Sequence, residues 1–304
     1  MALNKSFKEI VEAVKALPKK PGIAVVMAQD EHTLIAVSEA VKEGLVAPYL
    51  IGDVEGIEAI LAQIGEDKAN YTIIAADGVE DSMACAAKLV NDGTCSLLMK
   101  GKLETGQIMK GVLKAENDLR GSGIISIMGY YECPNYHKMF GVTDVGMNVY
   151  PDLNAKKGIL ENAVDALHKL GVECPKVGVL AAVEKLNPKM KETVDADELK
   201  QMNQRGEITG CIVEGPISLD LAMIPESAEL KGYESPVSGD CDLLVCPDLC
   251  SGNLLVKALT ELGGTETGGT VIGAKVPIVL VSRAAKSSDK FNSIAVAAYL
   301  GSKR

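Results

Sequence analysis

The 304-residue sequence contains no tryptophan, three phenylalanines and three histidines. The histidines His32, His137 and His168 are scattered, and no G-x-S-x-G elbow occurs, so the pattern argues against a Ser-His-Asp hydrolase. A Walker loop and a G-x-G-x-x-G after the first strand are also missing. Nucleotide hydrolysis and Rossmann-type dinucleotide binding therefore lack their usual phosphate cradles.

Basic charge and long apolar runs are also scarce. The formal net charge of -10 disfavours binding to nucleic acid, whose phosphates require a basic surface. No apolar run approaches the ~20 residues that span a bilayer, and the lysines of the first 20 residues lie in an amphipathic pattern that lacks an export signal. We therefore expect a soluble, cytoplasmic protein that binds neither nucleic acid nor a membrane.

The eight cysteines form no compact paired framework, which favours reduced thiols in the cytoplasm. Cys246 and Cys250 lie four residues apart, but no second Cys or His pair completes a zinc-ligand spacing. The sequence therefore predicts no metal site.

Most of the chain alternates short apolar runs with helical patterns of roughly ten to fifteen residues, which is typical of βαβ units. The strand-like runs are continuously apolar, as expected for parallel strands covered by helices on both faces. Segment 123–153 interrupts this rhythm, and we interpret it as the crossing between domains. The pattern predicts two doubly wound α/β domains, one formed by residues 1–140 with 286–304 and the other by residues 141–285.

Ligands of open α/β sheets gather at the carboxyl ends of the strands, and several strand ends here carry polar groups. Lys100 and Lys102 flank a glycine, and Thr105 is placed to cap the next helix, so an anion would find donors there. Asp144 and Asn148 follow another strand-like run. Taken alone, each segment is better explained as an ordinary turn with exposed polar residues.

Two later strand ends also carry polar groups, and the one at Ser282 and Arg283 is the most informative of the four. Asp248 ends a buried strand, and Asn253 lies in the helix that follows. The apolar run before Ser282 and Arg283 ends at these two residues, and Asp289 lies in the next helical pattern. Arg283 is suited to grip phosphate bidentately, and Ser282 to donate to an oxygen that gains charge during acyl transfer.

Together these segments resemble the phosphate acetyl/butyryl transferase family, and most closely its phosphate butyryltransferase branch. The resemblance covers nearly the whole chain, and it is carried by LLMKGKLETGQIMKGVL (97–113), FGVTDVGMNVYPDL (140–153), KVGVLAAVEKLNPKMKETVDADEL (176–199), VEGPISLDLAM (213–223), SPVSGDCDLLVCPDLCSGNLLVKAL (235–259) and GAKVPIVLVSRAAKSSDKFNSIA (273–295).

The resemblance implies a fold like that of isocitrate and isopropylmalate dehydrogenases, with an interdomain cleft and a homodimer. It implies reversible transfer of a C2–C5 acyl group, butyryl or similar, between coenzyme A and inorganic phosphate. In a ternary complex the CoA thiolate would attack the carbonyl of the acyl phosphate directly and phosphate would leave, with CoA as a substrate and no metal or other cofactor.

The resemblance also assigns roles to individual residues. Ser282 would assist the thiol or the carbonyl oxygen, Arg283 would hold the phosphoryl group, and Asp289 would act as the base, although an acidic residue in the first turn also suits a helix. Lys110 stands where many relatives place arginine. The substrate-binding candidates are Lys100, Thr105, Lys110, Asp144, Asn148, Glu214, Asp248 and Asn253.

Three alternatives remain open. A phosphate acetyltransferase differs only in acyl-chain length. A dehydrogenase of the isocitrate type would need metal-binding aspartates and more arginines than Arg120, Arg205, Arg283 and Arg304. A non-catalytic, two-domain ligand-binding protein would bind its ligand tightly without turning over any acyl-CoA.

Overall fold

A computed structural model describes residues 6–121, 123–280 and 285–303. Its contacts divide the chain into two compact units. One consists of Phe7–Gly123 with Gly268–Arg304 and is called the terminal unit; the other is built on Ile124–Thr267 and is called the central unit.

The terminal unit contains a largely parallel sheet. Its strands are β1 (Gly22–Val26), β2 (Ala47–Gly52), β3 (Thr72–Ala75), β4 (Leu97–Lys100), β10 (Glu266–Ile272) and β11 (Ile278–Val279). Their order is β3-β2-β1-β4-β11-β10, and only the β10–β11 pair in this series is antiparallel. Every residue of β1 is buried, which explains why the central strand of this sheet is continuously apolar.

The helices of the terminal unit form two groups. They are α1 (Phe7–Lys15), α2 (Glu31–Lys42), α3 (Val54–Gln63), α4 (Gly78–Asn91), α5 (Thr105–Leu113) and α11 (Ser287–Gly301). Helix α11 packs against α1 and α2, and α3 contacts α2, whereas α4 packs against α5. This grouping is typical of a sheet with helices on both faces.

The central unit has a five-stranded series of mixed direction. Its strands are β5 (Ser126–Glu132), β6 (Phe140–Thr143), β7 (Lys176–Leu180), β8 (Ile212–Ile217) and β9 (Leu243–Val245). The order is β5-β6-β9-β7-β8, in which β5 and β6 are antiparallel and the remaining pairs are parallel. The β5–β6 hairpin is the segment in which the sequence rhythm breaks.

Five helices complete the central unit. They are α6 (Leu153–Lys169), α7 (Lys191–Gln204), α8 (Leu219–Met223), α9 (Pro225–Lys231) and α10 (Leu249–Lys257). The helical pattern of SLDLAMIPESAELKG (218–232) predicts one helix where α8 and α9 lie. This is wrong, because Pro225 starts a new helix. Along the described ranges, no helix is both long and apolar enough to cross a bilayer.

The α/β class is confirmed. The contact-based units change at 123/124 and 267/268, whereas the predicted domains change later, at 140/141 and 285/286. The difference follows from the hairpins: β5 pairs with β6, and β10 pairs with β11, so each pair stays within one unit apart from the first residues of β10. The predicted domain boundaries therefore stay a prediction.

Candidate active site

The central unit contains a cavity of about 590 Å³. Residues 180–182, at the end of β7, form one side of the cavity, and residues 246–248, directly after β9, form another. The carboxyl ends of neighbouring parallel strands thus open onto one space, which is where α/β sheets bind ligands.

Helices α6, α7 and α10 begin at this cavity. Asp152 caps α6 by accepting a hydrogen bond from the backbone N–H of Ala155 at 2.8 Å, and Asp248 caps α10 by accepting one from the N–H of Ser251 at 2.8 Å. Helix α7 begins at Lys191, which also lines the cavity. Helix N-termini carry partial positive charge, which the two capping carboxylates partly balance.

An ion triad with two buried members, Lys156 and Asp195, lies beside the cavity. Lys156 is 5% exposed and Asp195 is 6% exposed. The Nζ of Lys156 donates to Oδ2 of Asp195 at 2.7 Å, and the ammonium of Lys191 donates to the same oxygen. Burial alone raises the pKa of Asp195, but these hydrogen bonds outweigh burial and hold that pKa below its ordinary value. The carboxylate therefore stays ionised, and two ammonium groups share it.

The remaining walls are mainly apolar. Leu180, Leu219, Leu255 and Pro247 line the cavity, and Tyr150 lies at its edge with 83% of its surface exposed. An apolar surface with a few placed charges favours a ligand that has both a nonpolar part and an anionic group.

Cys246 also lines the cavity, but its environment makes it a poor nucleophile. Burial, and then the nearby charges of Asp248 and Asp144, raise the pKa of its thiol to about 12. At neutral pH the sulfur is therefore protonated, whereas nucleophilic cysteines act as thiolates.

Asp144 and Asn148 form a loop-stabilising pair after β6. Asp144 is 3% exposed, and its carboxylate accepts hydrogen bonds from four backbone N–H groups, those of residues 127, 146, 147 and 148. The side-chain amide of Asn148 donates both to this carboxylate and to the carbonyl of Ile125. These polar atoms are engaged by the protein itself.

Asp248, Asn253 and Glu214 have different surroundings. Asp248 lines the cavity, whereas Asn253 is exposed on α10 and lies 3.5 Å from the carbonyl of Val145. Glu214 is buried in β8, and its carboxylate accepts from Lys200 at 2.6 Å and from Ser235 at 2.9 Å. Of these three candidates, Asp248 alone lines the cavity.

Lys100, Thr105 and Lys110 belong to the terminal unit. Lys100 ends β4, and its ammonium donates to the carbonyl of Leu103 at 3.0 Å. Thr105 is the first residue of α5 and not its cap: Glu104 holds that position and its N–H donates to Gln107 at 2.9 Å. Helix α5 thus begins one residue earlier than it would if Thr105 were its cap.

Lys110 lies on α5. It lines a separate cavity of about 160 Å³ within the terminal unit, to which α4 and α5 both contribute. Asp289 lies in the first turn of α11, and its backbone carbonyl accepts from Ser293 at 2.6 Å. Ser282 and Arg283 lie outside the described residues.

The sequence patterns did not single out Lys156, Lys191, Asp195 or Tyr150. Lys191 belongs to the charge run 187–192, which suggests a solvated face, and its side chain is indeed largely exposed. The spacing of Lys191 and Asp195 is that of an ordinary surface pair on a helix. Only the packing of α6 beside α7 brings Lys156 to the same carboxylate.

The described residues contain no group of three or more His, Cys, Asp or Glu side chains arranged to hold a metal ion.

Comparison with known proteins gives concordant matches. Residues 60–298 match the family model described as phosphate acetyl/butaryl transferase. The chain is 39% identical to phosphate butyryltransferase of Clostridium acetobutylicum, covering 97% of both chains, and 38% identical to phosphate acetyltransferase of Thermotoga maritima, covering 96% of this chain and 98% of the relative.

A solved structure agrees with these matches. The crystal structure of a branched-chain phosphotransacylase from Enterococcus faecalis superimposes with a TM-score of 0.82 at 32% identity, covering 92% of this chain and 99% of the other. The family model spans most of the chain, and the sequence and structural relatives extend over nearly all of it. The chain therefore belongs to the phosphate acetyl/butyryl transferase family.

Proposed function

We propose that this protein reversibly transfers a short acyl group, butyryl or another C2–C5 chain, between coenzyme A and inorganic phosphate. The observation that carries the proposal is the 39% identity to a phosphate butyryltransferase over nearly the full length of both chains. The cavity at the strand ends of the central unit, with its ammonium groups and apolar walls, supports an anionic substrate that has a nonpolar part, such as acyl-CoA.

The chemistry requires no acyl-enzyme. A phosphate oxygen attacks the thioester carbonyl, the C–O bond forms, the C–S bond breaks, and the proton from phosphate ends on the CoA sulfur. In the reverse direction the CoA thiolate attacks the carbonyl of acyl phosphate and phosphate leaves. The raised pKa of Cys246 argues against this cavity-lining thiol as an acyl acceptor, because a protonated thiol is a poor nucleophile.

Such a reaction needs charge stabilisation, a base and alignment of two substrates. We assign these tasks to Arg283, which would hold phosphate bidentately, to Ser282, which would donate to the carbonyl oxygen or the thiol, and to Asp289 as the base. Asp289 is partly buried in the first turn of α11, a position that also suits an acidic residue for helix stability.

We propose substrate contacts for Lys100, Thr105, Lys110, Asp248 and Asn253. The candidates Asp144, Asn148 and Glu214 have polar groups that already bond to the protein, so we assign them to shaping loops and strands. No cofactor beyond the CoA substrate is proposed, and we propose a cytoplasmic homodimer.

Phosphate acetyltransferase activity is the second candidate, favoured by the 38% identity to the Thermotoga maritima relative. Acetyl and butyryl differ by two methylenes, each of which contributes about 1–3 kcal/mol of discrimination. Phosphate-dependent release of CoA from acetyl-, propionyl-, butyryl- and isobutyryl-CoA, followed with a thiol reagent, ranks the acyl chains. Tight binding of acyl-CoA without any turnover would instead identify a non-catalytic homologue.

The role of Arg283 has its own test. We expect Arg283→Ala to lower phosphate-dependent kcat/KM at least about 100-fold, because removing a bidentate charged contact costs several kcal/mol in a desolvated site. Arg205→Ala is the control, since Arg205 is an exposed residue paired with Glu198 and Glu207. Unchanged kinetics of Arg283→Ala would remove the assigned role.

A further inference from the structure

The cavity of the central unit is large relative to the acyl group and to inorganic phosphate. Its volume of about 590 Å³ lies within the roughly 300–1,000 Å³ of sites for drug-sized ligands. A four-carbon chain or a single phosphate would leave most of that space to solvent. The size fits a nucleoside with phosphate attached.

The triad of Lys156, Lys191 and Asp195 has an excess positive charge, which favours an anionic group. An ammonium has three N–H donors, and within the described residues the hydrogen-bond acceptor of Lys156 is Asp195. Lys191 donates to the same oxygen, so both ammonium groups retain donor capacity. A phosphate would accept these remaining hydrogen bonds and compensate the excess positive charge of the triad.

Three carboxylates also line the cavity. Asp152 and Asp248 cap helices, so backbone N–H groups satisfy part of their acceptor capacity, and Glu192 lies in the first turn of α7. Each stands at a helix N-terminus, where negative charge is favourable. Their remaining lone pairs can accept hydrogen bonds from ribose hydroxyl or base amino groups.

The walls suit a flat aromatic ring. Leu180, Leu219 and Pro247 give apolar surface, and the exposed ring of Tyr150 stands at the edge, where a base can stack on it. Of the two substrates proposed above, coenzyme A alone combines an aromatic base, a ribose and phosphates.

We propose that this cavity binds the nucleotide end of coenzyme A, with a phosphate held by Lys156 and Lys191 and the base placed against the apolar wall and Tyr150. The inference rests on the proposed function, because that function supplies coenzyme A as the ligand. It assigns the cavity to substrate binding and leaves the acyl group and inorganic phosphate to other residues.

The binding test uses adenosine 3′,5′-bisphosphate, which carries the base, ribose and a 3′-phosphate but no reactive thiol. We expect calorimetry to show that Lys191→Met binds this probe at least about tenfold more weakly than the unaltered protein does, because the variant loses a charge-assisted hydrogen bond. Lys156→Met should act in the same direction. Lys191→Met is the safer variant because its side chain is 69% exposed and its loss leaves Lys156 paired with Asp195.

Lys169→Met is the matched control, since Lys169 lies on α6 like Lys156 but pairs with Asp165 on the surface. The affinity of Lys169→Met for the probe should stay within about twofold of the affinity of the unaltered protein. Equal affinity of Lys191→Met and the unaltered protein for the probe would overturn the proposal. Displacement of the probe by millimolar inorganic phosphate alone, with no contribution from the base, would overturn it too.

Tyr150 tests the position of the base. We expect Tyr150→Ala to weaken probe binding at least about fivefold and Tyr150→Phe to restore it, because stacking needs the ring and not the hydroxyl. Equal binding by Tyr150→Ala and the unaltered protein would contradict this placement.

Kinetics separate this inference from the proposed function. For Lys191→Met we expect the KM for acyl-CoA to rise about tenfold while the KM for phosphate and kcat stay unchanged. Turnover with a raised KM for phosphate instead would sink the nucleotide site and leave the function intact. Lysine-dependent probe binding without turnover of any acyl-CoA would leave the nucleotide site standing and reject the function.

Discussion

The carboxylate of Asp144 illustrates how a single side chain organises a loop. Four backbone N–H groups and the amide of Asn148 donate to it, and it is almost completely buried. Removing a buried acceptor leaves these donors unsatisfied, at a cost of about 1–3 kcal/mol for each group that water does not reach.

We therefore expect Asp144→Ala to lower the free energy of unfolding by about 2–4 kcal/mol, measured by urea unfolding followed by circular dichroism. Asp165→Ala, which breaks an exposed pair with Lys169, should change it by at most about 0.5 kcal/mol. If both variants proved equally stable, the loop-stabilising role of Asp144 would be wrong.

Asp240 makes stability depend on acid pH. Burial alone raises its pKa, but hydrogen bonds from Lys138, Lys176 and His137 outweigh burial and hold the pKa well below its usual range. The folded pKa thus lies below the unfolded value of about 3.9, so the stabilisation is present above that value and is lost as the pH falls toward the folded pKa.

Asp240→Asn should accordingly reduce the free energy of unfolding at pH 5, and its difference from the unaltered protein should shrink steadily toward pH 2. Urea unfolding curves at half-unit steps of pH measure this difference. A difference that stays constant over the whole range would show that Asp240 does not carry the effect.

At the residue scale, sequence reasoning placed only part of the site. Asp248 follows a buried strand and lines the cavity as its position indicates, because the carboxyl ends of parallel strands share an edge. Lys156 could not be found this way: it lies inside α6, and its partner Asp195 is 39 positions away on another helix. Long-range side-chain pairs of this kind depend on helix packing and leave no local pattern.

The element that ends at Lys100 depends on one glycine. A Cβ on Gly101 would lie 2.1 Å from the backbone carbonyl oxygen of Met27 and 2.7 Å from that of Val26. Val26 is the last residue of β1, and Met27 follows it. Backbone cannot move aside as a flexible side chain would. The spacing of Lys100 and Lys102 around this glycine thus reflects a close approach of two strand ends.

Gly101→Ala should consequently lower the free energy of unfolding by about 1–3 kcal/mol, the usual cost of overpacking. The matched control is Gly106→Ala on α5, where a Cβ meets no atom within 4 Å. There the change should stabilise by up to about 1 kcal/mol, because alanine favours helix. Thermal unfolding of both variants decides the matter, and a harmless Gly101→Ala would refute the close approach.

The type of most elements, helix or strand, was predictable from the periodicity of hydrophobic residues. The connections between elements were less predictable. The apolar run at 22–28 becomes β1, and the pattern SSDKFNSIAVAAYLG becomes α11 without change. The single helix predicted around 218–232 is divided because the ring of Pro225 is incompatible with a continuous helix. The two strands of the β5–β6 hairpin were predictable from the sequence. The unit to which the hairpin belongs was not, because it depends on long-range strand pairing.

On the scale of the whole molecule, the net charge of -10 opposes two anionic substrates. Local groups must therefore attract them, and the triad beside the cavity and the helix N-termini are such groups. Sequence similarity extends through both units, since the family model covers residues 60–298, so the proposed activity belongs to the complete chain.

The measurement that tests the central claim most directly is ³¹P NMR of butyryl-CoA and inorganic phosphate incubated with the protein, with free thiol assayed in parallel. The account predicts an acyl phosphate signal that grows in equal amount with released CoA, and its reversal when CoA is added in excess. CoA release without acyl phosphate would reveal a thioester hydrolase, and no release from any acyl-CoA of the C2–C5 series would contradict the proposed transfer altogether.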